Sequence, residues 1–219
     1  MELMLDMKNN FVQKTAFVLF FSLFVSVSVL AQHSGNNSTS LEKGENEFGV
    51  WGGGAVNNAT LFGSATDRKL VIAGVRYGRV VGTTGSIAWE YTFDLVPIAK
   101  IYQPDSVTQA NPRAASSIYG KGLSPFGLKL NFNRHGRLKP FVSASGGFLY
   151  FNRGTPVEVL GATRFNFTFD FGGGVQVFST ARSAVSFGYK LHHISNARIT
   201  SVNPGLDSNV FYAGFSIFR

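Results

Sequence analysis

Three side chains near the end of the chain have the types and the spacing of a hydrolytic centre: His193, Ser195 and Asp207. A serine hydroxyl becomes a nucleophile when an imidazole takes its proton, and a carboxylate on the other ring nitrogen holds that imidazole in the right tautomer. In the run Val185, Phe187, Tyr189, Leu191, His193, Ser195, alternate residues share one face of an extended strand, and the first four are apolar. A strand rises ~3.3 Å per residue, so the Cα atoms of His193 and Ser195 would stand roughly 6.6 Å apart, close enough for their side chains to meet. The next strand gives Asp207, Asn209, Phe211, Ala213, Phe215 and Ile217 by the same alternation. Asp207 therefore shares the lipid-facing side and begins its strand beside the end of the preceding one. A blander reading of the same residues is that His193 and Ser195 mark where a lipid-facing strand meets water.

Such a centre needs two adjacent antiparallel strands, and the chain from about residue 47 onward is written in period two. In Phe165-Asn166-Phe167-Thr168-Phe169-Asp170-Phe171 every aromatic lies on one face and every polar group on the other. Ile87, Trp89, Tyr91, Phe93 and Leu95 repeat the pattern against Ala88, Glu90, Thr92 and Asp94. Two such faces fit a membrane barrel with lipid outside and a polar lumen, whereas a soluble sandwich would turn its aromatics inward. The chain also carries 22 Phe, more than a sandwich core of this size uses.

The expected strands are 47–55, 69–80, 86–98, 120–132, 138–151, 163–178, 183–195 and 207–218. Connections after the first, third, fifth and seventh are long, at 56–68, 99–119, 152–162 and 196–206. The others, 81–85, 133–137 and 179–182, are short, with Gly82, Gly85 and Gly136 supplying turn geometry. An even strand number with long loops on one side is the plan of an outer-membrane barrel whose termini are periplasmic. The fold class is all-β: an eight-stranded antiparallel transmembrane β-barrel of the outer-membrane type, over residues 47–219. The seventh strand then runs outward and sets His193 and Ser195 near the headgroups of the outer leaflet.

Parity also assigns the interior. Arg76, Glu90, Asp94, Lys129, Asp170, Lys190 and His192 point to the lumen, where opposite charges pair inside a small, filled barrel. The triplets Gly52-Gly53-Gly54 and Gly172-Gly173-Gly174 permit strand curvature; neither is a phosphate loop, because no Lys-Ser/Thr and helix follows.

Upstream, Lys8 and Lys14 precede an apolar run from Thr15 to Leu30 that stops at Ala31-Gln32, the plan of a signal peptide over 1–31. Residues 32–46, rich in Ser, Asn, Gly and charge, are expected as a flexible periplasmic lead-in. No later stretch of 18 apolar residues exists to form a membrane helix. The absence of Cys excludes disulfides, thiolate zinc sites and a cysteine nucleophile. A net charge of +8 suits a partner bearing phosphates, lipopolysaccharide or nucleic acid, yet any barrel in such a membrane gains Lys and Arg at the phosphate level.

The segment His193-Ile194-Ser195-Asn196-Ala197, followed by Asn203-Pro204-Gly205-Leu206-Asp207, resembles the signature of the lipid A 3-O-deacylase family of outer-membrane enzymes, also known as acyloxyacyl hydrolases. The likeness is close over about 25 residues and looser over the eight-strand plan. In that family the histidine and serine of the H-x-S-N motif are base and nucleophile, and an acid 14 positions after the histidine completes the triad; here that position is Asp207, where the family typically has Glu. The resemblance implies His193, Ser195 and Asp207 as catalytic residues and Asn203 as an oxyanion-hole donor, with Asn196 a second candidate for that role. Plain turn chemistry is the alternative role for Asn203 in its Asn-Pro-Gly turn.

The implied reaction is hydrolysis of an ester-linked acyl chain of lipid A, the 3-hydroxyacyl group at position 3, by an enzyme embedded in the bacterial outer membrane. It implies lipid A of lipopolysaccharide as partner, no nucleic acid, and no metal or organic cofactor; a homodimer is left open. A passive barrel would share the fold without activity, and a phospholipase would share the triad. A porin fits least, since eight strands fill their own interior.

Overall fold

Period-two alternation closes this chain on itself. The computed structural model describes residues 39–105, 115–155 and 161–219, and the signal segment 1–31 lies outside them. The strands are β1 (Asn46–Ala55), the two-residue β2 (Asn58–Ala59), β3 (Lys69–Thr84), β4 (Ile87–Gln103), β5 (Ser116–Asn131), β6 (Leu138–Phe151), β7 (Phe165–Phe178), β8 (Ser183–Ser195) and β9 (Leu206–Phe218). The eight long strands pair antiparallel in chain order, and β9 returns to β1, so the long strands form a closed barrel with no free edge. The described residues contain no helix.

The strands are staggered. Paired residues followed once round the barrel run from Thr83 through Ala88, Asn131, Phe141, Gly174, Gly188, Tyr212 and Gly53 to Ile72. The circuit returns to β3 displaced by 83 − 72 = 11 residues toward its outer end. That stagger is the geometric counterpart of strand tilt.

The alternation sorts side chains as expected. Phe167, Phe169 and Phe171 are exposed on the outside of β7, while Asn166, Thr168 and Asp170 are buried inside. With Val71, Leu95, Phe187, Phe211 and Phe215 they form an apolar outer wall, the kind of exposed patch that marks a surface covered by lipid or a partner. In the lumen, Arg76 donates two hydrogen bonds to Asp94, at 2.9 and 2.7 Å. Lys129 sits between Glu47 at 2.8 Å and Glu90 at 3.1 Å, and Lys190 lies 3.2 Å from Asp170. All six charges assigned inward by parity are there; Glu47, whose side chain also accepts from Ser216 and Gln176, joins them.

Beyond shifts of one or two residues at strand ends, three connections differ from the sequence reading. β3 runs on to Thr84, because a register shift between Val80 and Gly82 absorbs the Val80-Val81 pair that breaks the alternation. Gly82 is therefore inside a strand, and the turn is only Gly85-Ser86, with Gly85 at φ 56°. The turn between β5 and β6 uses Asn133, at φ 54°, as its left-handed residue; Gly136 donates its N–H to the Asn133 carbonyl. The loop expected at 99–119 shrinks to 104–115, since β4 and β5 pair out to Gln103 and Ser116.

The lead-in expected to be flexible is described from Thr39 on, and there it is tied down. Leu41 is fully buried against Val80, Ala88, Phe178, Ala184 and Phe218, and its N–H and C=O both bond to Arg134. Arg134 also grips Glu42 at 2.6 Å, and Ser40 meets the His135 ring at 2.8 Å. One buried leucine and a pairing arginine suffice to order a segment whose composition alone reads as loose.

Candidate active site

β8 and β9 pair in the register that puts His193 directly opposite Asp207. Residues opposite each other on antiparallel strands share a face, and this one is the outer face, continuing the row of Phe211, Phe215 and Ile217 on β9. His193 Nδ1 lies 2.5 Å from Asp207 Oδ1. The carboxylate thus fixes one ring nitrogen as the proton-bearing one and leaves Nε2 as the basic atom. Ser195 ends β8 two residues beyond His193 on the same side and is half-buried. Among the described residues no hydrogen bond joins its hydroxyl to the imidazole. In unliganded hydrolases that contact is often long and tightens only around the substrate.

Asp207 does not face lipid openly. The first outer loop, 56–68, folds back over the start of β9: β2 pairs Asn58 with Ser208 and Ala59 with Asp207, and Ala65 bridges Leu206. As a result the backbone N–H groups of Leu61, Phe62 and Gly63 all donate to Asp207 Oδ2, at 2.8, 2.7 and 2.9 Å. The carboxylate is completely covered, with Oδ2 held by three backbone donors and Oδ1 left to the imidazole. Phe62 also sets its ring edge-on to His193, centroids 5.7 Å apart, while Phe62 and Leu61 themselves stay largely exposed at the rim.

Gly63 makes that packing possible. A Cβ there would stand 2.6 Å from the Gly205 carbonyl carbon and 2.8 Å from Leu206 N, backbone atoms that cannot yield cheaply. Sequence reasoning gives loop 56–68 no part in the site. Its contribution is three main-chain donors, which leave no side-chain signature beyond Gly63.

The loop between β8 and β9 is organised by its two asparagines. Asn196 is buried, with Nδ2 donating to Thr200 Oγ1 and Val202 O, both at 2.8 Å, and Oδ1 accepting from Arg198 N at 2.9 Å. Its side chain is spent on folding the loop, which carries Ala197 and Arg198 at φ 50° and 63°. Asn203 Oδ1 accepts the N–H of Asn196 at 2.9 Å. That bond dictates which way the amide faces and leaves its NH₂ as the remaining donor. His192, one residue from the site, is buried in the lumen against Asp170 as parity requires. Among the described residues no group of three His, Asp or Glu could hold a metal ion.

A closed eight-stranded antiparallel barrel with an apolar outer wall and a charged lumen is a barrel of the outer-membrane class. The profile of the lipid A 3-O-deacylase (PagL) family matches residues 81–216, and the chain belongs to that family. Among solved structures, the outer membrane enzyme PagL is similar at 15% identity and TM-score 0.51, covering 78% of this chain and 97% of that one. Neisserial surface protein A gives 12% identity and TM-score 0.45, over 79% of this chain and 95% of that one. The N-terminal barrel of Pseudomonas aeruginosa OprF gives 12% and 0.45, over 81% and 98%. Curated proteins offer no sequence match. The family membership places the chain among lipid A deacylases of the bacterial outer membrane.

Proposed function

We propose that the protein is a serine esterase that removes the 3-hydroxyacyl chain from position 3 of lipid A, with Ser195 as nucleophile, His193 as base, Asp207 as orienting carboxylate and Asn203 as oxyanion donor. The observation that carries this reading is the 2.5 Å contact between His193 Nδ1 and Asp207 Oδ1 on the outer face of the barrel, in a chain of this family. With Nδ1–H tied to the carboxylate, Nε2 accepts the proton of the Ser195 hydroxyl as Oγ attacks the ester carbonyl. The tetrahedral oxyanion is met by the Asn203 amide, whose carbonyl end is already engaged by Asn196. Nε2 then protonates the departing sugar oxygen, and a water molecule activated by the same nitrogen hydrolyses the acyl-enzyme.

A rim site facing outward suits a substrate that stays in the outer leaflet and arrives sideways. Leu61 and Phe62, exposed beside His193, offer apolar surface to its acyl chains. All four residues of this reading lie in one chain, so it does not call on the homodimer that the sequence leaves open.

The test is expression in a lipopolysaccharide-bearing host, with lipid A analysed by mass spectrometry. The chain should remove one 3-hydroxyacyl group, and Ser195→Ala and His193→Ala should remove none. Unchanged lipid A from the folded parent chain would leave a passive barrel, and fatty acid released from glycerophospholipids instead would make it a phospholipase.

A further inference from the structure

On the side of the barrel opposite the β8–β9 site, the outer wall carries a belt of cations whose placement is not accounted for by deacylation. Lys69 on β3 pairs directly with Tyr102 on β4, Lys100 on β4 with Tyr119 on β5, and Lys121 on β5 with Tyr150 on β6. All six lie on the outward faces, since their strand neighbours Leu70, Ile101, Ile118, Leu149 and Phe151 are buried in the barrel. The Lys100 ammonium sits over the Tyr102 ring at 4.3 Å and near the Tyr119 ring at 5.2 Å. Each step from one pair to the next descends two residues along a strand. The register climbs 11 residues over eight strands in the same direction, so the descent largely cancels the climb and the three pairs lie near one level. That level is the outer end of the wall, where β3 begins and β4 ends.

Within the strands the charge on this belt is unbalanced, the nearest carboxylates, Asp67 and Asp105, lying in the adjoining outer loops. The acids of β3 to β6, Glu90 and Asp94, are buried in the lumen, so no carboxylate shares the outward face. Along the strands the outward cations of this level are also confined to one side, the exposed Arg164 and Arg198 of the other side lying in loops. The outward faces of β1, β7, β8 and β9 carry no Lys or Arg, their single Lys190 being inside, and the remaining outward cation of the wall, Arg79, is at the periplasmic end of β3. Tyrosines and lysines that merely anchored the barrel at the interface would run all the way round it.

We infer that Lys69, Lys100 and Lys121, with the hydroxyls of Tyr102, Tyr119 and Tyr150, form a binding site for the phosphate groups of a second, non-substrate lipid A molecule of the outer leaflet. Lysine stems lie along apolar surface while their ammonium groups reach the headgroup level. There, in a partly dehydrated interface, ammonium and phenol groups are both donors to phosphate oxygens. The centre of the belt, between β4 and β5, stands four strands from the centre of the β8–β9 pair by either route, and its nearest lysine, Lys69, two strands from β9, so a lipid centred here is not the one undergoing hydrolysis.

The protein in phosphatidylcholine nanodiscs, titrated with bisphosphorylated lipid A already lacking its 3-O chain, provides the test. Wild type should bind it, and Lys69→Gln/Lys100→Gln/Lys121→Gln should bind at least about tenfold more weakly, as expected for three interfacial cations. Dephosphorylated lipid A should bind wild type no better than the triple variant does, and inorganic phosphate should not displace the bound lipid. Equal affinity of variant and wild type overturns the inference, as does indifference to the lipid's phosphates or displacement by inorganic phosphate. The three lysines bond nothing in the lumen, so the variant should keep the gel mobility of the folded barrel before heating, and Lys100→Gln alone gives a milder version of the same comparison. The inference stands or falls independently of whether Ser195 hydrolyses an ester.

Discussion

Two adjacent histidines make the same bond on opposite sides of one wall. His192 Nδ1 meets Asp170 Oδ1 at 2.5 Å in the lumen, and His193 Nδ1 meets Asp207 Oδ1 at 2.5 Å on the outer face. The difference lies in what surrounds them. Asp170 also binds Ser145 at 3.0 Å and Lys190 at 3.2 Å, and His192 Nε2 is buried with no partner among the described residues. Asp207 is instead held by main-chain donors, and its imidazole keeps some exposure, with a serine two residues on. An imidazole–carboxylate pair is therefore not a site in itself; what the proposed site adds is a partly exposed imidazole and a serine two residues on along the same face. The one-residue step that separates the two histidines is also the step that changes faces on a strand.

The largest effect separates the two pairs outright. Ser195→Ala should cost about 10⁶-fold in deacylation rate, the scale of losing a serine nucleophile, while Ser145→Ala should leave the rate of the folded barrel unchanged. Next come the two carboxylates. Asp207→Asn should slow turnover by about 10⁴-fold through the wrong imidazole tautomer, with little loss of stability beyond the altered contacts of Oδ2. Asp170→Asn should do the reverse, leaving Lys190 without its counter-charge and lowering unfolding stability by about 3–5 kcal/mol, read as the shift in denaturant midpoint. If Asp170→Asn instead matched Asp207→Asn in activity at full stability, the division of labour between the two pairs would fail.

Much of this contrast is legible in the order of the residues. Period two places His192 inside and His193 outside, puts six charges in the lumen, and sets Asp207 on the same face as His193. What the residue order does not reveal is everything that depends on main chain or on distant packing. The grip of Leu61, Phe62 and Gly63 on Asp207 uses N–H groups that every non-proline residue has. The extension of β3 depends on a bulge at Val80-Val81-Gly82 that looks in sequence like the end of a strand. The ordering of Thr39–Glu45 hangs on Leu41, one apolar residue in a polar stretch, finding a pocket made by five strands. Asn196 is already the weaker oxyanion candidate in sequence, and the direction of the bonds gives the reason: its amide holds the loop, while Asn203 engages only its carbonyl end.

That distinction sets the next effect in size. Asn203→Ala should slow deacylation by about 10²- to 10³-fold with the substrate concentration for half-maximal rate little changed, as for removal of one oxyanion donor. Asn196→Ala should act through the loop, and so should lower thermal stability along with rate. Equal and purely kinetic effects of the two substitutions would remove the basis for telling them apart.

The smallest effect tests whether the outer pair depends on its covering loop. Gly63→Ala inserts a methyl group against Gly205 and Leu206 and should lift residues 61–63 away from β9. Oδ2 of Asp207 would then lose its three donors, and a carboxylate displaced by an ångström misaligns the imidazole it holds, which is worth about 10²-fold in rate. The barrel itself closes through β1 and β9 without that loop, so gel mobility before and after heating should be that of wild type. Asp207→Glu offers the complementary probe: the added methylene pushes the carboxylate into the space of residues 61–63, so the family's usual acid should work less well here than Asp. Full activity in both variants would show that the loop merely covers Asp207 and that His193 alone sets its position.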